Sequence, residues 1–345
     1  MSRMRLHLVA AVAAAAILAV PAAASAAPGP GALRTPVPGV NSLNAVSCPT
    51  ATACVSVGSD GNFNGKSAVI NAATGAVKAW SGELAGDSMN AVACAGTASC
   101  LAVADDAVAS VSVTGGAMKV TATPKKPAAG IVALAAIACA GTTACYAVGF
   151  EGTEASSKAT VVHLSSAGKL LATKMNGGTG IGAIACPSAS LCLMGEHYTS
   201  GEVIQLLANG TFGTSHALPA GAYIQAIGCY KASLCYALGG SGSSAPDELF
   251  PLNPKTGTAG PAATINGFSG TSLTCINATT CLVSGFTGTG AAAKNAVVAV
   301  VNGKPGKPAN YPGNFGLRDV ACATASACYA VGSSPSGAIV DKVKS

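Results

Sequence analysis

Short stretches of alternating apolar and polar residues, bounded by turn-forming residues, recur along most of the chain. The first clear set predicts four β-strands, at Leu43–Cys48, Cys54–Gly58, Ser67–Asn71 and Ala76–Trp80. The joins between the third and fourth strands are rich in Gly, Asn and Thr, as tight turns require. No helical pattern interrupts these strands, so the chain is predicted to be all-β.

The same four-strand unit is repeated, and cysteines mark each copy. Every cysteine belongs to one of seven C-x5-C pairs, and successive pairs begin 43 to 47 residues apart. A four-stranded repeat of about 45 residues is typical of a β-propeller blade. The copies begin near residues 43, 89, 134, 181, 224, 270 and 317. We therefore predict a seven-bladed β-propeller with four-stranded blades, in one domain over residues 27–345.

The cysteine spacing places each pair across the hairpin between the first and second strands. A five-residue loop can bring the two Cβ atoms within reach of a disulfide bond. Zinc binding is the alternative, but C-x5-C without companion histidines is poor zinc spacing. We predict seven hairpin disulfides, which join Cys48 to Cys54, Cys94 to Cys100, Cys139 to Cys145, Cys186 to Cys192, Cys229 to Cys235, Cys275 to Cys281 and Cys322 to Cys328.

The two ends of the repeat region are complementary. The last copy finishes one strand after its hairpin, with "GAIVDKVKS", and lacks a fourth strand. The segment before the first copy, "PGALRTPVPGVNSL", resembles the fourth strands of other copies. We expect residues 31–38 to complete the last blade, which closes the ring and removes exposed sheet edges. An open solenoid, the alternative arrangement, would need polar capping repeats.

Residues 1–26 have the pattern of a secretory signal peptide. Arg3 and Arg5 precede an apolar run from Leu6 to Val20, and the small residues Ala24-Ser25-Ala26 follow. The apolar run is too short for a confident membrane span, and no second run follows it. We expect a secreted, extracellular protein without a membrane span, in an environment where paired cysteines oxidise.

The charge of the chain excludes few partners. The formal net charge is +6, and it falls to about +4 without Arg3 and Arg5. Basic residues are scattered and are not interleaved with aromatic residues, so nucleic acid is not an expected partner. Dilute positive charge could assist adhesion to an acidic cell envelope, but ordinary solubility is the favoured interpretation.

The strand-one and strand-two pattern, L-x-x-V-x-C followed by C-x-A-V-G, resembles secreted bacterial β-propeller repeats related to the BNR-like propellers. The clearest copies are "LNAVSCPTATACVSVG" and "LRDVACATASACYAVG". The sialidase type of BNR repeat carries S-x-D-x-G-x-x-W, which none of the seven copies contains. The resemblance implies the propeller fold and no particular reaction.

Residues suited to catalysis are few in this sequence. Sialidases in the resembled family use three arginines, and only Arg34 and Arg318 follow the signal peptide. A glycosidase needs two facing carboxylates, whereas the acids here are scattered over loops. His197, with Glu196 and Tyr198 beside it, is the best catalytic or ligand candidate among ionisable groups.

One loop has half of a calcium-binding pattern. Asp60, Asn62 and Asn64 have the D-x-N-x-N-G spacing, but Asn71 stands where the closing acid is needed. An ordinary Asn- and Gly-rich turn is the simpler interpretation. We therefore predict no metal site and no cofactor.

Aligning the seven copies brings polar residues together four residues before the first cysteine, here called position −4. If the first strand is innermost, these residues surround the mouth of the central channel. Blades three and four contribute only Ala135 and Gly182. The polar members, with Asp319 adjacent, form a crescent that would suit a sugar, a peptide terminus or a small anion: Gln225, Thr271, Arg318, Asn44 and Asn90. Simple solvation of these polar groups by water at a wet channel mouth is the favoured interpretation of the crescent.

These observations favour a secreted, monomeric, non-enzymatic propeller that binds a glycan, a peptide or a cell-envelope component. The alternative is an extracellular polysaccharide hydrolase or lyase. An enzyme should gather carboxylates and histidines around one pocket, whereas a binding protein needs mainly amides and aromatic residues. The fold itself does not choose between them.

Overall fold

The computed structural model describes residues 30–114, 118–122, 132–152, 158–176, 180–196, 201–208, 210–219, 222–240, 247–311 and 316–343. Within these residues, antiparallel strands form seven separate sheets. The first strand of each sheet contacts the first strands of both neighbouring sheets. This arrangement is a seven-bladed β-propeller, and it confirms the predicted fold.

The strands are numbered in chain order, and in blades one to six they run from the channel outward. Strand β1 (Pro30–Val37) precedes the blades. Blade one contains β2 (Ser42–Ser47), β3 (Ala53–Ser59), β4 (Gly65–Asn71) and β5 (Val77–Leu84); blade two contains β6 (Ala91–Cys94), β7 (Ser99–Val103), β8 (Val108–Ser112) and β9 (Met118–Ala122); blade three contains β10 (Val132–Ala140), β11 (Ala144–Glu151), β12 (Lys158–Ser165) and β13 (Leu170–Asn176).

The remaining strands form blades four to seven. Blade four contains β14 (Ile181–Ser188), β15 (Leu191–Glu196), β16 (Glu202–Leu207) and β17 (Phe212–Ala217); blade five contains β18 (Tyr223–Tyr230), β19 (Leu234–Gly240), β20 (Asp247–Leu252) and β21 (Ala263–Ile265); blade six contains β22 (Phe268–Cys275), β23 (Thr280–Thr287), β24 (Lys294–Val301), β25 (Lys304–Pro305) and β26 (Ala309–Asn310); blade seven contains β27 (Leu317–Thr324), β28 (Ala327–Ser334) and β29 (Gly337–Val343). Two 3-10 turns are described, at Lys231–Ser233 and Gly290–Ala292.

Blade seven is completed from the other end of the chain. Strand β1 pairs antiparallel with β29, and Thr35 lies opposite Val340 while Val37 lies opposite Ala338. The predicted closing segment, residues 31–38, therefore differs from the observed strand by only one residue at each end. The pairing covers the edge of β29 and closes the ring.

The hydrophobic core is divided among the interfaces between blades. Each of the seven apolar clusters draws its residues from two neighbouring blades. At the closure, Leu43 and Ile70 of blade one pack with Tyr329 and Val340 of blade seven, all at most 1% exposed. Burying one such side chain contributes roughly 1.5 to 3 kcal/mol, so the faces of the blades hold the ring together.

A backbone bulge explains the glycine that ends the second strand of most copies. In six blades the register of the innermost strand shifts across position −4, so this residue is extra relative to the second strand. The bulge moves the carbonyl at position −6 close to the glycine. A Cβ on Gly58 would lie 1.9 Å from the Ser42 carbonyl oxygen, and one on Gly149 equally close to that of Ala133. Only glycine fits this approach.

All fourteen cysteines form the seven predicted disulfides, and none is free. Each bridge joins the first and second strands of one blade, with Cα atoms 3.9 to 4.1 Å apart. In blade order, the bonded residues are Cys48 and Cys54, Cys94 and Cys100, Cys139 and Cys145, Cys186 and Cys192, Cys229 and Cys235, Cys275 and Cys281, and Cys322 and Cys328.

The disulfides stabilise the hairpins that carry them. By the loop-entropy model, a closed loop this short contributes about 2 kcal/mol per bridge. Because every bridge lies at the same end of its blade, all seven hairpins gather at one end of the propeller. We call this end the stapled face, and the opposite end the loop face.

Deleting residues 27–37 should destabilise the whole domain. The deletion removes β1, exposes the edge of β29 and uncovers the apolar cluster at Val37. We expect the free energy of unfolding to fall by about 3 kcal/mol or more. Chemical denaturation of the shortened and full-length mature proteins measures this loss.

A synthetic peptide of residues 27–37 provides the control. It should restore part of the lost stability by pairing again with β29, as strand addition does in other sheets. Unchanged stability on deletion would contradict closure of the ring by β1.

Candidate functional site

The innermost strands enclose a central channel that contains two adjoining cavities. The cavity at the loop face has a volume of about 240 Å³, and the one at the stapled face has about 380 Å³. Branched apolar side chains two residues before the first cysteine line both cavities where they meet. This apolar ring consists of Val92, Ile137, Ile184, Ile227 and Leu273, continued by Val46 and Val320 in the second cavity.

The residues at position −4 all line the cavity at the loop face. The sequence alignment of the copies therefore placed the crescent correctly, and the structure brings all seven positions to one mouth: Asn44, Asn90, Ala135, Gly182, Gln225, Thr271 and Arg318. In six of the seven blades, all but blade two, the bulge turns the residue at this position toward the channel. Whether these residues bind a ligand is a separate question, addressed below.

Several of these side chains also connect neighbouring blades. The Asn44 Nδ2 group donates to the carbonyl oxygen of Met89 at 2.8 Å, from blade one to blade two. Asn90 Nδ2 donates to the carbonyl oxygen of Leu134 at 2.9 Å, from blade two to blade three. The Thr271 hydroxyl donates to the Leu317 carbonyl oxygen at 2.7 Å, from blade six to blade seven. Each accepting carbonyl stands at position −5 of the next blade.

These bonds decide which atoms the amides present to the channel. Because both Nδ2 groups donate to backbone carbonyls, the Oδ1 atoms of Asn44 and Asn90 are left as acceptors, without a donor among the described residues. Gln225 Nε2 donates to the Tyr223 hydroxyl at 2.9 Å. Its Oε1 atom is buried and has no donor among the described residues. The crescent thus presents two amide oxygens, those of Asn44 and Asn90, with the exposed Arg318 as the one cation among the described residues that line the cavity.

Asp319 joins three blades through its carboxylate. Oδ2 accepts a hydrogen bond from the Val46 amide of blade one at 2.7 Å. Oδ1 accepts from its neighbour Val320 at 2.8 Å and from the Ser272 hydroxyl of blade six. Burial raises the pKa of Asp319 to about 6, although these hydrogen bonds act in the opposite direction. Its carboxylate is therefore already bonded within the protein.

A second buried carboxylate connects blades five and six. Asp247 is 2% exposed and accepts a hydrogen bond from the Gly270 amide. Burial raises the pKa of Asp247 to about 6, and the bond from Gly270 lowers it. The alignment of the seven sequence repeats did not predict this contact between Asp247 and Gly270.

The loop with half of a calcium pattern binds its own backbone. Asp60 Oδ1 accepts from the amides of Asn62 at 2.8 Å and Asn64 at 3.0 Å. Oδ2 accepts from Asn64 Nδ2 and pairs with Lys66 Nζ at 3.4 Å. The Asn64 side chain, first among these partners, lowers the pKa of Asp60 to about 2. This network supports the turn interpretation, and it presents Phe63, 71% exposed, on the loop face.

The described histidines do not gather around the channel. The His163 ring stacks on Tyr146 with centroids 4.7 Å apart, and burial, aided by Lys174, lowers its pKa. His197 and Tyr198 lie outside the described residues, and the neighbouring Glu196 is buried. The described residues contain no group of three His, Cys, Asp or Glu side chains suited to a metal ion. They also contain no helix long and apolar enough to cross a membrane.

Comparison with known proteins supports the fold and nothing finer. Neither a protein-family model nor a curated protein matches the sequence. Among solved structures, a catalytically inactive virginiamycin B lyase from Staphylococcus aureus with quinupristin is similar at a TM-score of 0.67 and 10% identity. The match covers 91% of this chain and 98% of the lyase.

Two further structures show the same likeness. YCF48 bound to a D1 peptide has a TM-score of 0.62 at 10% identity, over 91% of this chain and 95% of that one. A chain of the mitotic checkpoint complex has a TM-score of 0.66 at 11% identity, over 99% and 98%. At such identities the likeness shows a shared propeller architecture, which lyases and protein-binding propellers both adopt.

The raised pKa of Asp319 predicts a pH dependence of stability. A carboxyl group with a pKa near 4 unfolded and about 6 folded stabilises the protein fully below pH 4, and this contribution is lost as pH rises through 6. By linkage, this one group should make the protein about 1 kcal/mol more stable at pH 5 than at pH 7.5. Asp319→Asn should remove this contribution to the change of the free energy of unfolding with pH.

Chemical denaturation of both proteins at the two pH values tests this. His163, whose pKa is lowered, acts in the opposite direction over the same range, so the difference between variant and wild type is the readout. The absolute stability of Asp319→Asn is uninformative, because the Asn side-chain NH2 group would face a backbone N–H donor that now bonds to the carboxylate. Equal slopes for the two proteins would show that Asp319 titrates normally.

Proposed function

We propose that this protein is a secreted, non-enzymatic binding scaffold that takes the carboxyl terminus of a peptide at the loop-face mouth of its channel. The observation that carries the proposal is the atom set of the crescent. The amide oxygens of Asn44 and Asn90 are available to accept hydrogen bonds, and Arg318 provides a guanidinium group. Peptide N–H groups and a terminal carboxylate are the matching partners.

The apolar ring beneath the crescent supports a peptide over a glycan. An apolar terminal side chain would enter the channel toward Ile137, Ile184 and Ile227, which lie 6 to 8% exposed. Sugars are usually recognised with the help of aromatic faces, and no aromatic residue lines this cavity among the described residues. The similarity in fold to a propeller bound to a peptide is in line with this choice.

The hydrolase or lyase alternative is less well supported by the same cavity. Among the described residues its lining has one carboxylate, Asp319, which already accepts hydrogen bonds from three donors. A glycosidase needs a second carboxylate facing the first. The fold likeness to a lyase carries no residue into this channel.

Secretion, the monomeric state and a relation to BNR-like propellers are parts of the proposal as well. The seven disulfides indicate an oxidising environment, as expected outside the cytoplasm. Residues 1–26 lie outside the described residues, so the signal peptide rests on its sequence pattern.

Fluorescence anisotropy with a library of short labelled peptides tests the proposed site. We expect peptides with a free carboxyl terminus and an apolar last residue to bind, and their amidated forms to bind at least tenfold more weakly. Replacing Arg318 with Ala should cost about 1.5 to 3 kcal/mol of binding free energy, the loss typical of a hydrogen bond to a charged group. Lys294→Ala, an exposed cation on the same face, should bind as the wild type does.

Two results would refute the proposal. One is equal affinity of wild type and Arg318→Ala for every peptide that binds. The other is binding of oligosaccharides, screened in parallel, without binding of any peptide.

A further inference from the structure

Charged residues are unequally divided between the two ends of the propeller. The described carboxylates lie on the loop face, at the starts of strands or inside the blades, as Asp60, Asp105, Glu151 and Glu248 illustrate. In contrast, the cysteine hairpins and the turns between third and fourth strands contain no Asp or Glu within the described residues. The described part of the stapled face therefore carries positive charge only.

Exposed lysines and leucines occur together on this face. Lys169, Lys231, Lys255 and Lys304 are all exposed, and they belong to blades three, five and six. Leu171 is 51% exposed beside the turn of blade three, and Leu207 is 40% exposed at the end of β16, beside the turn of blade four. We call these six residues the lysine face.

Blades three, four and five, which carry most of the lysine face, are bonded to each other there. The Gln205 side chain of blade four donates to the carbonyl oxygens of Lys255 and Thr256 in the turn of blade five. In the same way, the Tyr146 hydroxyl of blade three donates to the Ala208 carbonyl oxygen in the turn of blade four at 2.5 Å. Both turns are thus fixed in place, and the side chains they carry point from a rigid surface.

We propose that the lysine face docks the propeller on an anionic phospholipid membrane. Each lysine near such a surface contributes about 1 kcal/mol, which alone gives weak and salt-sensitive attraction. Leu171 and Leu207 add apolar contact at the boundary between headgroups and acyl chains, where binding strength scales with buried apolar area plus attraction to anionic lipids. Exposed leucines beside lysines suit a bilayer better than a soluble polyanion, which offers no apolar layer.

This docking would orient the molecule. With the stapled face on the membrane, the loop face and its polar mouth would point away from it. The proposal does not depend on the peptide site, because the two sites lie at opposite ends of the channel. Arg318→Ala should therefore leave membrane binding unchanged.

Vesicle co-sedimentation of the mature, oxidised protein tests the proposal. We expect binding to phosphatidylcholine vesicles containing phosphatidylglycerol, weak binding to phosphatidylcholine alone, and release by high salt. The double variant Lys169→Gln/Lys255→Gln should bind about tenfold to thirtyfold more weakly, as two lost lysines imply. The matched control is Lys158→Gln/Lys294→Gln, which removes two exposed lysines from the loop face and should bind as the wild type does.

A second variant separates a membrane from an anionic polymer. Leu207→Ser should weaken vesicle binding about threefold or more while leaving any binding to soluble polyphosphate unchanged. The proposal is overturned if phosphatidylglycerol in the vesicles does not increase binding. It is overturned as well if the two double lysine variants lose vesicle affinity to the same extent. It is also overturned if Leu207→Ser has no effect on vesicles while polyphosphate binds, since the partner would then be a polymer.

Discussion

The bulge at position −4 of the innermost strands is the constraint on which the rest of the structure depends. The bulge adds one residue to the innermost strand and brings the carbonyl at position −6 against the second strand. The second strand has glycine at this point because no side chain fits beside that carbonyl. The added residue, such as Asn44, turns into the channel, and its side chain bonds to the carbonyl at position −5 of the next blade. The bulge thus brings position −4 to the mouth in six blades, whereas Asn90 of blade two makes the same kind of bond to blade three without a bulge.

The polar contacts between blades are unevenly spread around the ring. Blades five, six, seven, one, two and three are joined in succession near the channel by side chains of Asp247, Thr271, Asp319, Asn44 and Asn90. Blades three, four and five, with Ala135 and Gly182 at the mouth, are joined near the stapled face, by Tyr146 and Gln205. Blades seven and one have a bond of this second kind as well, from the Tyr329 hydroxyl to the Ala72 carbonyl oxygen at 2.8 Å.

Much of the fold could be predicted from the sequence because each copy repeats the same local chemistry. The disulfide pairs, the strand order and the closing strand follow from spacing and from one missing strand. The position of the crescent followed too, but its hydrogen bonds did not, because they run between blades and no repeat pattern within one copy reports them. Asp319 was predicted to lie beside the crescent, but its bonds to blades one and six were not predicted, although the other copies have Ala or Ser at its position. Asp247 has no counterpart pattern in the other copies.

The most direct test of this account is the stability of two reciprocal variants. Asn44→Ala removes the bond to the Met89 carbonyl and leaves that acceptor unpaired, so the free energy of unfolding should fall by about 1 to 2 kcal/mol. Ala135→Asn introduces the same side chain at the mouth of blade three and should raise it by about 0.5 to 1 kcal/mol. If neither substitution changes the stability measured by chemical denaturation, the bulge residue does not join neighbouring blades.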